Sequence, residues 1–283
     1  MRVLITGAGG MLGHDVRDAA RAAGHEVVAV PRAELDVADR TAVDSLVADA
    51  GPDVVVNCAA WTDVDGAEAD FQPALAVNGP GAGHVASAAA KAGAWTLQIS
   101  SDYVFSGAKR EPYLESDSVG PVSAYGRSKL AGEQAVAEAA PRAHTIVRSS
   151  WLFGTTGQCF PRTILKLAGE RDQLDVVADQ VGCPTFTGHL AEALVAVAAR
   201  RPLGVLHVSA AGECSWFDFA REIVAARSLD CQVAPCTTAQ FPRPAPRPAY
   251  SVLRSERGSV APTLPHWRDG LSAYLAAVRE TVA

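Results

Sequence analysis

The first thirteen residues constrain the fold more than any other part of the sequence. An apolar run, RVLIT at 2–6, leads directly into GAGGMLG at 7–13, and a helical pattern follows. In such a strand–turn–helix unit, Gly7 permits the tight turn, Gly10 lets a diphosphate approach the backbone, and Gly13 lets the helix pack closely on the strand. N–H groups at the helix start complete an anion site. The unit predicts a dinucleotide-binding turn, with a glycine-rich turn that binds nothing as the alternative.

Strand-like and helical patterns then alternate as far as Arg148, which is typical of βαβ units. We predict strands at Arg2–Thr6, Glu26–Val30, Asp53–Asn57, Trp95–Ser100 and His144–Arg148. Helices are predicted at about Gly10–Ala23, Arg40–Ala50, Pro73–Ala92 and Ser123–Ala139. Continuous apolar runs such as VVVN indicate strands that are covered on both faces. The predicted fold class is therefore α/β, with a Rossmann-type doubly wound parallel sheet.

The segment from Ser101 to Val122 has no clear periodicity and is rich in Gly, Pro, Ser and charge. A long irregular segment inside a compact domain is typical of a functional loop. It also follows the carboxyl end of a strand, where doubly wound sheets bind their ligands. We therefore expect this segment to contribute to a binding site.

The pattern after Arg148 is less regular and predicts a second, smaller α/β domain. Helices are predicted near Phe160–Arg171, Thr187–Arg200, Trp216–Arg227 and Trp267–Val282, with strands at Leu174–Val177 and Val205–Val208. Seven of the 17 prolines lie between Pro235 and Pro265, which indicates extended loops and short strands there. We predict a dinucleotide-binding domain of residues 1–152 plus about 175–209, and a substrate domain of about 153–174 plus 210–283.

Composition excludes several classes of protein. With 283 residues, 48% of them hydrophobic, the chain can bury a substantial core, so disorder is not expected. Its net charge of −6 disfavours nucleic-acid binding. The six cysteines form no CxxC pair and no regular spacing with histidine, so we expect reduced thiols in the cytoplasm and no zinc site. No signal peptide or membrane-spanning stretch is predicted.

In dinucleotide-binding folds of this type, the residue after the second strand usually contacts the adenosine ribose. An acidic residue there selects NAD, whereas a basic group binds the 2′-phosphate of NADP. The stretch here is Val30-Pro31-Arg32, and Arg32 favours NADPH through charge-assisted bonds. An exposed arginine without this role is the alternative. Because Glu34 and Asp36 follow closely, NADH stays open as the cofactor.

A second motif, YGRSK at 125–129, places a phenol and an ammonium four residues apart on one helix face. It follows Ser101, which ends the fourth predicted strand. A nearby cation such as Lys129 lowers the pKa of a phenol, which fits Tyr125 for proton transfer near neutral pH. Ser101 can donate a hydrogen bond to a carbonyl while Tyr125 delivers the proton. The three residues predict carbonyl reduction, against the alternatives of a loop-capping hydroxyl and an ordinary partly buried aromatic.

Together these stretches resemble the extended short-chain dehydrogenase/reductase family, and within it the dTDP-4-dehydrorhamnose reductase branch. The resemblance covers nearly the whole chain. The matching stretches are GAGGMLG at 7–13, ELDVAD at 34–39, DVVVNCAAWTDVDGAE at 53–68, SSDYVFSG at 100–107, YGRSK at 125–129, VRSSWLFG at 147–154, DQVGCPT at 179–185 and RPAYSVL at 247–253.

The resemblance implies NAD(P)H-dependent reduction of the 4-keto group of a dTDP-linked 4-keto-6-deoxyhexose, in deoxysugar biosynthesis. Tyr125 would be the proton donor, Lys129 would bind the nicotinamide ribose, and Ser101 would polarise the carbonyl. The remaining implied cofactor contacts are Gly10, Met11 and Leu12 for the diphosphate, Asp36 and Val37 for the adenine, and Ala59, Ala60 and Thr62 for the other half. The implied substrate contacts are Asp102 and Trp151 for the sugar, with Arg247 a weaker candidate for the phosphates.

Some matching positions depart from the family pattern. Ser101 stands where Thr is usual, and Trp61 where His is frequent. Some relatives bind magnesium between subunits through glutamates, but the matching positions here are Asp15 and Gly188, so no metal is predicted. Relatives of this branch are often dimers, which leaves a homodimer open.

Other functions within and outside the superfamily stay open as alternatives. A dehydratase would need an Asp-Glu pair after the serine, whereas Asp102 is followed by Tyr103. A nucleotide-sugar epimerase shares the Ser/Tyr/Lys chemistry, but DQVGCPT and RSSWLFG fit the reductase branch better. A non-catalytic regulatory subunit, resembling that of methionine adenosyltransferase, is disfavoured by the intact Ser101, Tyr125 and Lys129.

Overall fold

The computed structural model describes residues 1–280 and contains one six-stranded sheet in which every pairing is parallel. The strand order is β10-β5-β4-β3-β1-β2. Its strands are β1 (Arg2–Thr6), β2 (Glu26–Val30), β3 (Val54–Asn57), β4 (Trp95–Ser101), β5 (His144–Ser149) and β10 (Gly204–His207). The chain moves outward in opposite directions from β1, so the strand order reverses between β1 and β3, where such sheets bind ligands.

Ten α-helices are present in residues 1–280. They are α1 (Met11–Ala22), α2 (Arg40–Ala50), α3 (Val64–Ala69), α4 (Phe71–Ala76), α5 (Ala82–Lys91), α6 (Ala124–Ala139), α7 (Phe160–Ala168), α8 (Thr187–Arg200), α9 (Trp216–Ala226) and α10 (Trp267–Glu280). The last helix was predicted to reach Val282, but residues 281–282 lie outside the described part of the chain.

The helix predicted at Pro73–Ala92 is a continuous helical run over 71–91, in which a π-helical turn separates α4 from α5, and the short helix α3 precedes it. The side chains of Asp63 and Asp70 accept backbone N–H bonds from Gly66 and Gln72, so α3 and α4 each begin at an aspartate cap. A π-helical turn with Pro80 inside it then joins α4 to α5. Proline removes a donor from the helical ladder, which explains the local change of hydrogen bonding.

The two largest apolar cores of the described residues lie in different parts of the fold. One lies on a face of the parallel sheet, under α1 and α8, and includes Val3, Ile5, Leu190, Leu194 and Leu206. The other lies among α7, α9 and α10, where Phe153, Phe219, Trp267 and Tyr274 pack together. The separate cores explain why the pattern of the second half of the sequence differs from that of the first.

The second core also covers a small two-stranded sheet of β7 (Gln173–Val177) and β12 (Gln232–Cys236), which are parallel. Strand β7 spans the predicted boundary near residue 175, and the division into two domains stays a prediction. The other short strands are β6 (Leu152–Phe153), β8 (Val181–Gly182), β9 (Thr185–Phe186) and β11 (Cys214–Ser215).

Within residues 1–280, no helix is long and apolar enough to cross a membrane.

Candidate active site

The glycine-rich turn lies at the carboxyl end of β1, where the strand order reverses. Gly7 has a φ of +67°, and a Cβ on it would lie 2.6 Å from the backbone nitrogen of Ala59. A Cβ on Gly13 would overlap the backbone oxygen of Gly7. Only glycine therefore allows the turn, the start of α1 and the loop after β3 to approach one another this closely.

Gly10 is the N-cap of α1, and because it has no side chain the first turn lacks a side-chain cap. The first N–H groups of a helix have no partner inside the helix, and here they include those of Met11 and Leu12. Such a terminus attracts negative charge through these donors and through the helix dipole. The arrangement fits a dinucleotide diphosphate.

The predicted ribose-reading residue, Arg32, is exposed at the end of β2. Its neighbour Pro31 lies against the glycine turn, because a Cβ on Gly9 would be 3.3 Å from the Pro31 Cβ. The position of Arg32 therefore suits a phosphate on the ribose of a dinucleotide that follows the turn.

The two residues predicted to contact adenine have different environments. Asp36 is exposed, and its carboxylate accepts a 2.9 Å bond from the Ala38 N–H within a local turn. Val37 is buried at 3% exposure and faces Gly81, where an added Cβ would lie 3.1 Å from its Cγ2. Asp36 is therefore accessible to a ligand, whereas the Val37 side chain belongs to the core.

The loop after β3 carries the predicted contacts Ala59, Ala60 and Thr62. Asn78, which the sequence analysis did not single out, fixes this loop. Its Oδ1 accepts a 2.9 Å bond from the Trp61 N–H, and its Nδ2 donates to the Trp61 oxygen at 3.1 Å. The loop is therefore held on both sides of Trp61, next to two of the predicted contacts.

Asn78 also reaches the helix that carries the Tyr-Lys motif. Its Nδ2 donates to Ser128 Oγ at 2.9 Å, and Ser128 Oγ donates to the backbone carbonyl oxygen of Tyr125 at 2.7 Å. Asn78 is 2% exposed and lies in the π-helical turn Val77–Gly81. Such turns are frequent at functional sites. An asparagine inside an Ala- and Gly-rich helical run was the sequence signal for this buried link.

Ser101 ends β4 and faces Tyr125, as the sequence predicted. Its Oγ donates to Asp102 Oδ1 at 2.9 Å and accepts the Tyr103 N–H at 3.1 Å. Burial raises the pKa of Tyr125 to about 12 and the Asp102 carboxylate adds to the increase, whereas a hydrogen bond with Ser101 opposes it. Tyr125 therefore keeps its proton at neutral pH, and the expected lowering of its pKa by Lys129 is not found.

Lys129 instead points toward the backbone of β4. It is 4% exposed, and its Nζ donates to the Ile99 oxygen at 2.8 Å. Burial lowers the pKa of Lys129 to about 8, while the negative charge of Glu133 opposes this decrease. The ammonium is therefore retained at neutral pH and lost in mildly alkaline solution.

A buried ion pair lies one helical turn beyond Lys129. Glu133 accepts bonds from Arg148 Nε at 2.8 Å and Nη2 at 2.7 Å, and a third from Ser100 Oγ at 2.6 Å. Both side chains of the pair are about 5% exposed. A bidentate pair with a further donor satisfies the buried carboxylate. Glu133 thereby joins α6 to β4 and β5 directly behind the Tyr-Lys motif.

Asp102, a predicted sugar contact, is almost fully buried. Burial raises the pKa of its carboxyl to about 6, although hydrogen bonds from Ser251 and Ser101 oppose the increase. Its Oδ2 is buried without a hydrogen-bond partner in the described chain. Because this oxygen is itself buried, a ligand hydroxyl satisfies it only if neighbouring side chains move.

Trp151, the other predicted sugar contact, follows the end of β5. Its φ is +47°, an unusual value for a bulky residue, and its indole covers Gly182, where no side chain would fit. The ring stacks on Trp216 with centroids 3.5 Å apart and planes 1° from parallel. Because Ser149 of β5 pairs with Ser101 of β4, Trp151 lies two residues beyond the strand end that is next to Ser101.

Arg247, the predicted phosphate contact, is held by a carboxylate that the sequence analysis did not single out. Its Nη1 and Nη2 donate to the two oxygens of Asp65 at 3.1 Å and 3.2 Å. The pKa of Tyr103 is raised by burial and by Asp102, while the Arg247 charge and a hydrogen bond with it oppose the increase. Since Tyr103 lies edge-on to Tyr125, with centroids 5.7 Å apart, Arg247 is close to the predicted proton donor.

The described residues contain no group of three or more His, Cys, Asp or Glu side chains that could hold a metal ion. The fold does bring the glycine turn, the Trp61 loop and the Ser101–Tyr125 pair to one edge of the sheet. A parallel sheet with a glycine-rich turn at its switch point and neighbouring Ser, Tyr and Lys side chains defines the class, a dinucleotide-dependent reductase of the short-chain type.

Comparisons with known proteins give the same class. The family model described as "RmlD substrate binding domain" matches residues 1–280. The dTDP-4-dehydrorhamnose reductase of Mycolicibacterium smegmatis is 46% identical over 98% of this chain and 86% of its own. The solved dTDP-4-dehydrorhamnose reductase of Clostridium acetobutylicum has a TM-score of 0.95 at 41% identity, covering 99% of this chain and 100% of that one.

A further solved structure, the dTDP-4-dehydrorhamnose reductase of Bacillus anthracis in complex with NADP, has a TM-score of 0.94 at 36% identity. The alignment covers 98% of this chain and 99% of that one. The chain belongs to the RmlD substrate binding domain family. The predicted resemblance to the dTDP-4-dehydrorhamnose reductase branch and the predicted Rossmann-type fold are confirmed.

Proposed function

We propose that the protein reduces the 4-keto group of a dTDP-linked 4-keto-6-deoxyhexose with NADPH, and that NADH is a weaker donor. The arrangement that carries the proposal is the Ser101 hydroxyl at the end of β4, close enough to Tyr125 to affect its pKa, with Lys129 one helical turn further along α6. The names of the three relatives support the substrate class, and the NADP complex of one of them supports the cofactor.

The residues fit a dinucleotide across the carboxyl edge of the sheet. The first turn of α1 receives the diphosphate, Arg32 the 2′-phosphate and Lys129 the nicotinamide ribose. When bound, the nicotinamide supplies the hydride for the 4-keto carbon. The absence of a Cβ at Gly7 and Gly13 allows the turn to lie against the loop after β3 and against the start of α1.

Tyr125 delivers the proton to the keto oxygen. Its raised pKa, about 12, keeps the phenol protonated until charge develops on that oxygen. Ser101, whose hydroxyl donates to Asp102 in the structure, turns this donor to the same oxygen when the sugar binds and thereby stabilises the developing negative charge. The Lys129 ammonium, itself fixed by the Ile99 carbonyl, provides positive charge close to the nicotinamide ribose. The free Oδ2 of Asp102 and the exposed part of the Trp151 ring contact the sugar.

The test is NADPH oxidation when purified protein receives dTDP-4-keto-6-deoxyglucose, with and without a 3,5-epimerase. We expect turnover and a dTDP-6-deoxyhexose product whose C4 carries a hydroxyl. Isomerisation of the sugar without net NADPH consumption would instead identify an epimerase. No turnover with several 4-keto sugars, together with stoichiometric capture of a larger enzyme, would identify a regulatory subunit.

We further propose a cytoplasmic homodimer that binds neither nucleic acid nor membrane. All six cysteines of the sequence lie within the described residues and are free thiols, which supports a reducing compartment. The net charge of −6 disfavours nucleic acid. Light scattering after gel filtration tests the dimer, and a monomer mass at micromolar concentration would contradict it.

A further inference from the structure

Asp65, on α3, binds a segment of the chain that is far away in sequence. Its carboxylate accepts two bonds from Arg243, at 2.9 Å and 2.5 Å, and two from Arg247, at 3.1 Å and 3.2 Å. A fifth bond comes from the Ala245 N–H at 3.0 Å. One carboxylate thereby fixes both the backbone and the cationic side chains of the segment 243–247.

The same short helix is attached to the catalytic helix. Glu68, one turn after Asp65, accepts the Ala124 N–H at 2.5 Å through Oε1. Ala124 is the first residue of α6 and precedes Tyr125. Ala67 of α3 packs in one apolar cluster with Ala124, Trp61 and Tyr125. Helix α3 therefore joins the 243–247 segment to the proton donor and to the Trp61 loop.

The side chains of Asp65, Arg243 and Arg247 form a charged cluster in which the charges do not cancel. Two guanidinium groups share one carboxylate, whose pKa is held down to about 2 by Arg247, the Ala245 N–H and Arg243 against the opposing effect of burial. The cluster therefore keeps one net positive charge at neutral pH. The Arg247 side chain is 17% exposed, and the Arg243 side chain is 51% exposed. Both guanidinium groups retain donors for a further anion.

We propose that Asp65 is a positioning residue: it holds Arg247 in place to receive the diphosphate of the nucleotide sugar while Tyr103 and Tyr125 face the sugar. The inference rests on the proposed function, because it names the group that prepares the phosphate contact of the same site. Arg247 touches the ligand, whereas Asp65 acts through Arg247. Removing Asp65 adds positive charge to the cluster, yet the loss of the fixed guanidinium geometry dominates and binding weakens.

The test uses the protein with bound NADP⁺ and titrates it with thymidine diphosphate by calorimetry. In Asp65→Asn the Kd for thymidine diphosphate rises about tenfold, as does the KM for the keto sugar, because a bidentate charged contact is no longer aligned. The kcat and the affinity for NADP⁺ change by less than about twofold. Asp65→Glu, which retains the carboxylate, recovers part of the affinity. Tighter or unchanged binding of thymidine diphosphate to Asp65→Asn overturns the proposal.

Two further measurements separate positioning from a general loss of structure. We expect thymidine, which has no phosphate, to bind wild type and Asp65→Asn with the same affinity. If Asp65→Asn loses affinity for thymidine and for thymidine diphosphate to the same extent, the proposal is overturned. In an Arg247→Ala background, Asp65→Asn causes no further loss, and additive losses contradict action through Arg247. The matched control is Asp49→Asn, which changes an exposed carboxylate of α2. It leaves the Kd for thymidine diphosphate, the KM for the keto sugar, the kcat and the affinity for NADP⁺ unchanged.

The outcomes distinguish this inference from the proposed function. Wild-type protein that binds thymidine diphosphate in an Asp65-dependent manner but reduces no 4-keto sugar contradicts the proposed reaction and supports the role of Asp65. Wild-type protein that turns over the sugar but binds thymidine diphosphate independently of Asp65 supports the reaction and overturns the role of Asp65.

Discussion

Lys129 donates a 2.8 Å hydrogen bond from Nζ to the backbone oxygen of Ile99, two residues before Ser101 in the same strand. The bond fixes the ammonium beside the strand end, and burial of the side chain lowers the pKa of Lys129 to about 8. Below that pH the group is charged, and above it the positive charge is lost. The Lys129 ammonium is therefore both fixed in position and sensitive to mild alkali.

From this we predict that kcat/KM for NADPH falls as pH rises through about 8, because the neutral amine binds the nicotinamide ribose less well. Steady-state kinetics between pH 6 and about 10 give the profile. Lys129→Arg, whose charge does not titrate in this range, lacks the alkaline decrease even if its activity is lower. An unchanged decrease in that variant would assign it to another group.

Tyr125→Phe removes the hydroxyl that we propose as the proton donor and keeps the aromatic ring. We expect kcat to fall by about 10²–10⁴-fold, which is the usual contribution of a positioned general acid. The Kd for NADPH, measured by fluorescence titration, stays within about twofold, because the ring still packs against Ala124 and Trp61. Tyr103→Phe, the control, removes the neighbouring hydroxyl and loses far less kcat. Comparable losses in the two variants would leave the donor unassigned.

The sequence predicts an element when the pattern of that element's own residues is distinctive, and fails when tertiary contacts stabilise the element. Strands β1 to β5 were predicted within two residues because apolar runs such as VVVN can only be buried between two layers. Helix α3 was missed because its six residues, VDGAEA, bury one alanine and have no continuous apolar face. Its stability comes from the Asp63 cap and from tertiary contacts such as that of Glu68 with Ala124.

The residues of the candidate site also fall into two groups: those that fixed spacings along the chain indicate, and those that only the folded structure brings together. The glycine turn and the Tyr-Lys pair have fixed spacings along the chain, so Gly7, Tyr125 and Lys129 could be selected from sequence. The contacts of Asn78 and Glu133 join residues 50 and 15 positions apart, and only the packing of helices on the sheet brings them together. Their roles therefore required the structure.

Glu133→Gln tests the buried pair behind the motif. Arg148 would lose its charged partner in a buried position, so the free energy of unfolding should fall by about 3–5 kcal/mol, measured in urea. Since the Glu133 charge raises the pKa of Lys129, the alkaline decrease of kcat/KM should also move below pH 8. Glu138→Gln, an exposed change on the same helix, is the control and should alter neither quantity. A stable variant with an unshifted profile would contradict both effects.

Trp216→Ala removes the ring on which Trp151 stacks. A stacked aromatic pair contributes about 0.5–1.5 kcal/mol beyond its buried area, so KM for the keto sugar should rise several-fold as Trp151 loses its fixed orientation. The circular-dichroism signal of the coupled indoles should disappear in the same variant. Trp95→Phe, which changes an indole at the amino end of β4, is the matched control for both readouts. A retained KM would show that Trp151 is held by its backbone alone.

Arg32→Ala tests how the cofactor is selected. The exposed guanidinium of Arg32 is the group that we propose binds the 2′-phosphate, and a charged hydrogen bond of this kind contributes about 1.5–3 kcal/mol. The ratio of kcat/KM for NADPH to that for NADH should therefore fall by about 10- to 150-fold, mainly through a higher KM for NADPH. Arg21→Ala, which removes an exposed arginine in the last turn of α1, should leave the ratio unchanged. A constant ratio in Arg32→Ala would mean that another group reads the 2′-phosphate.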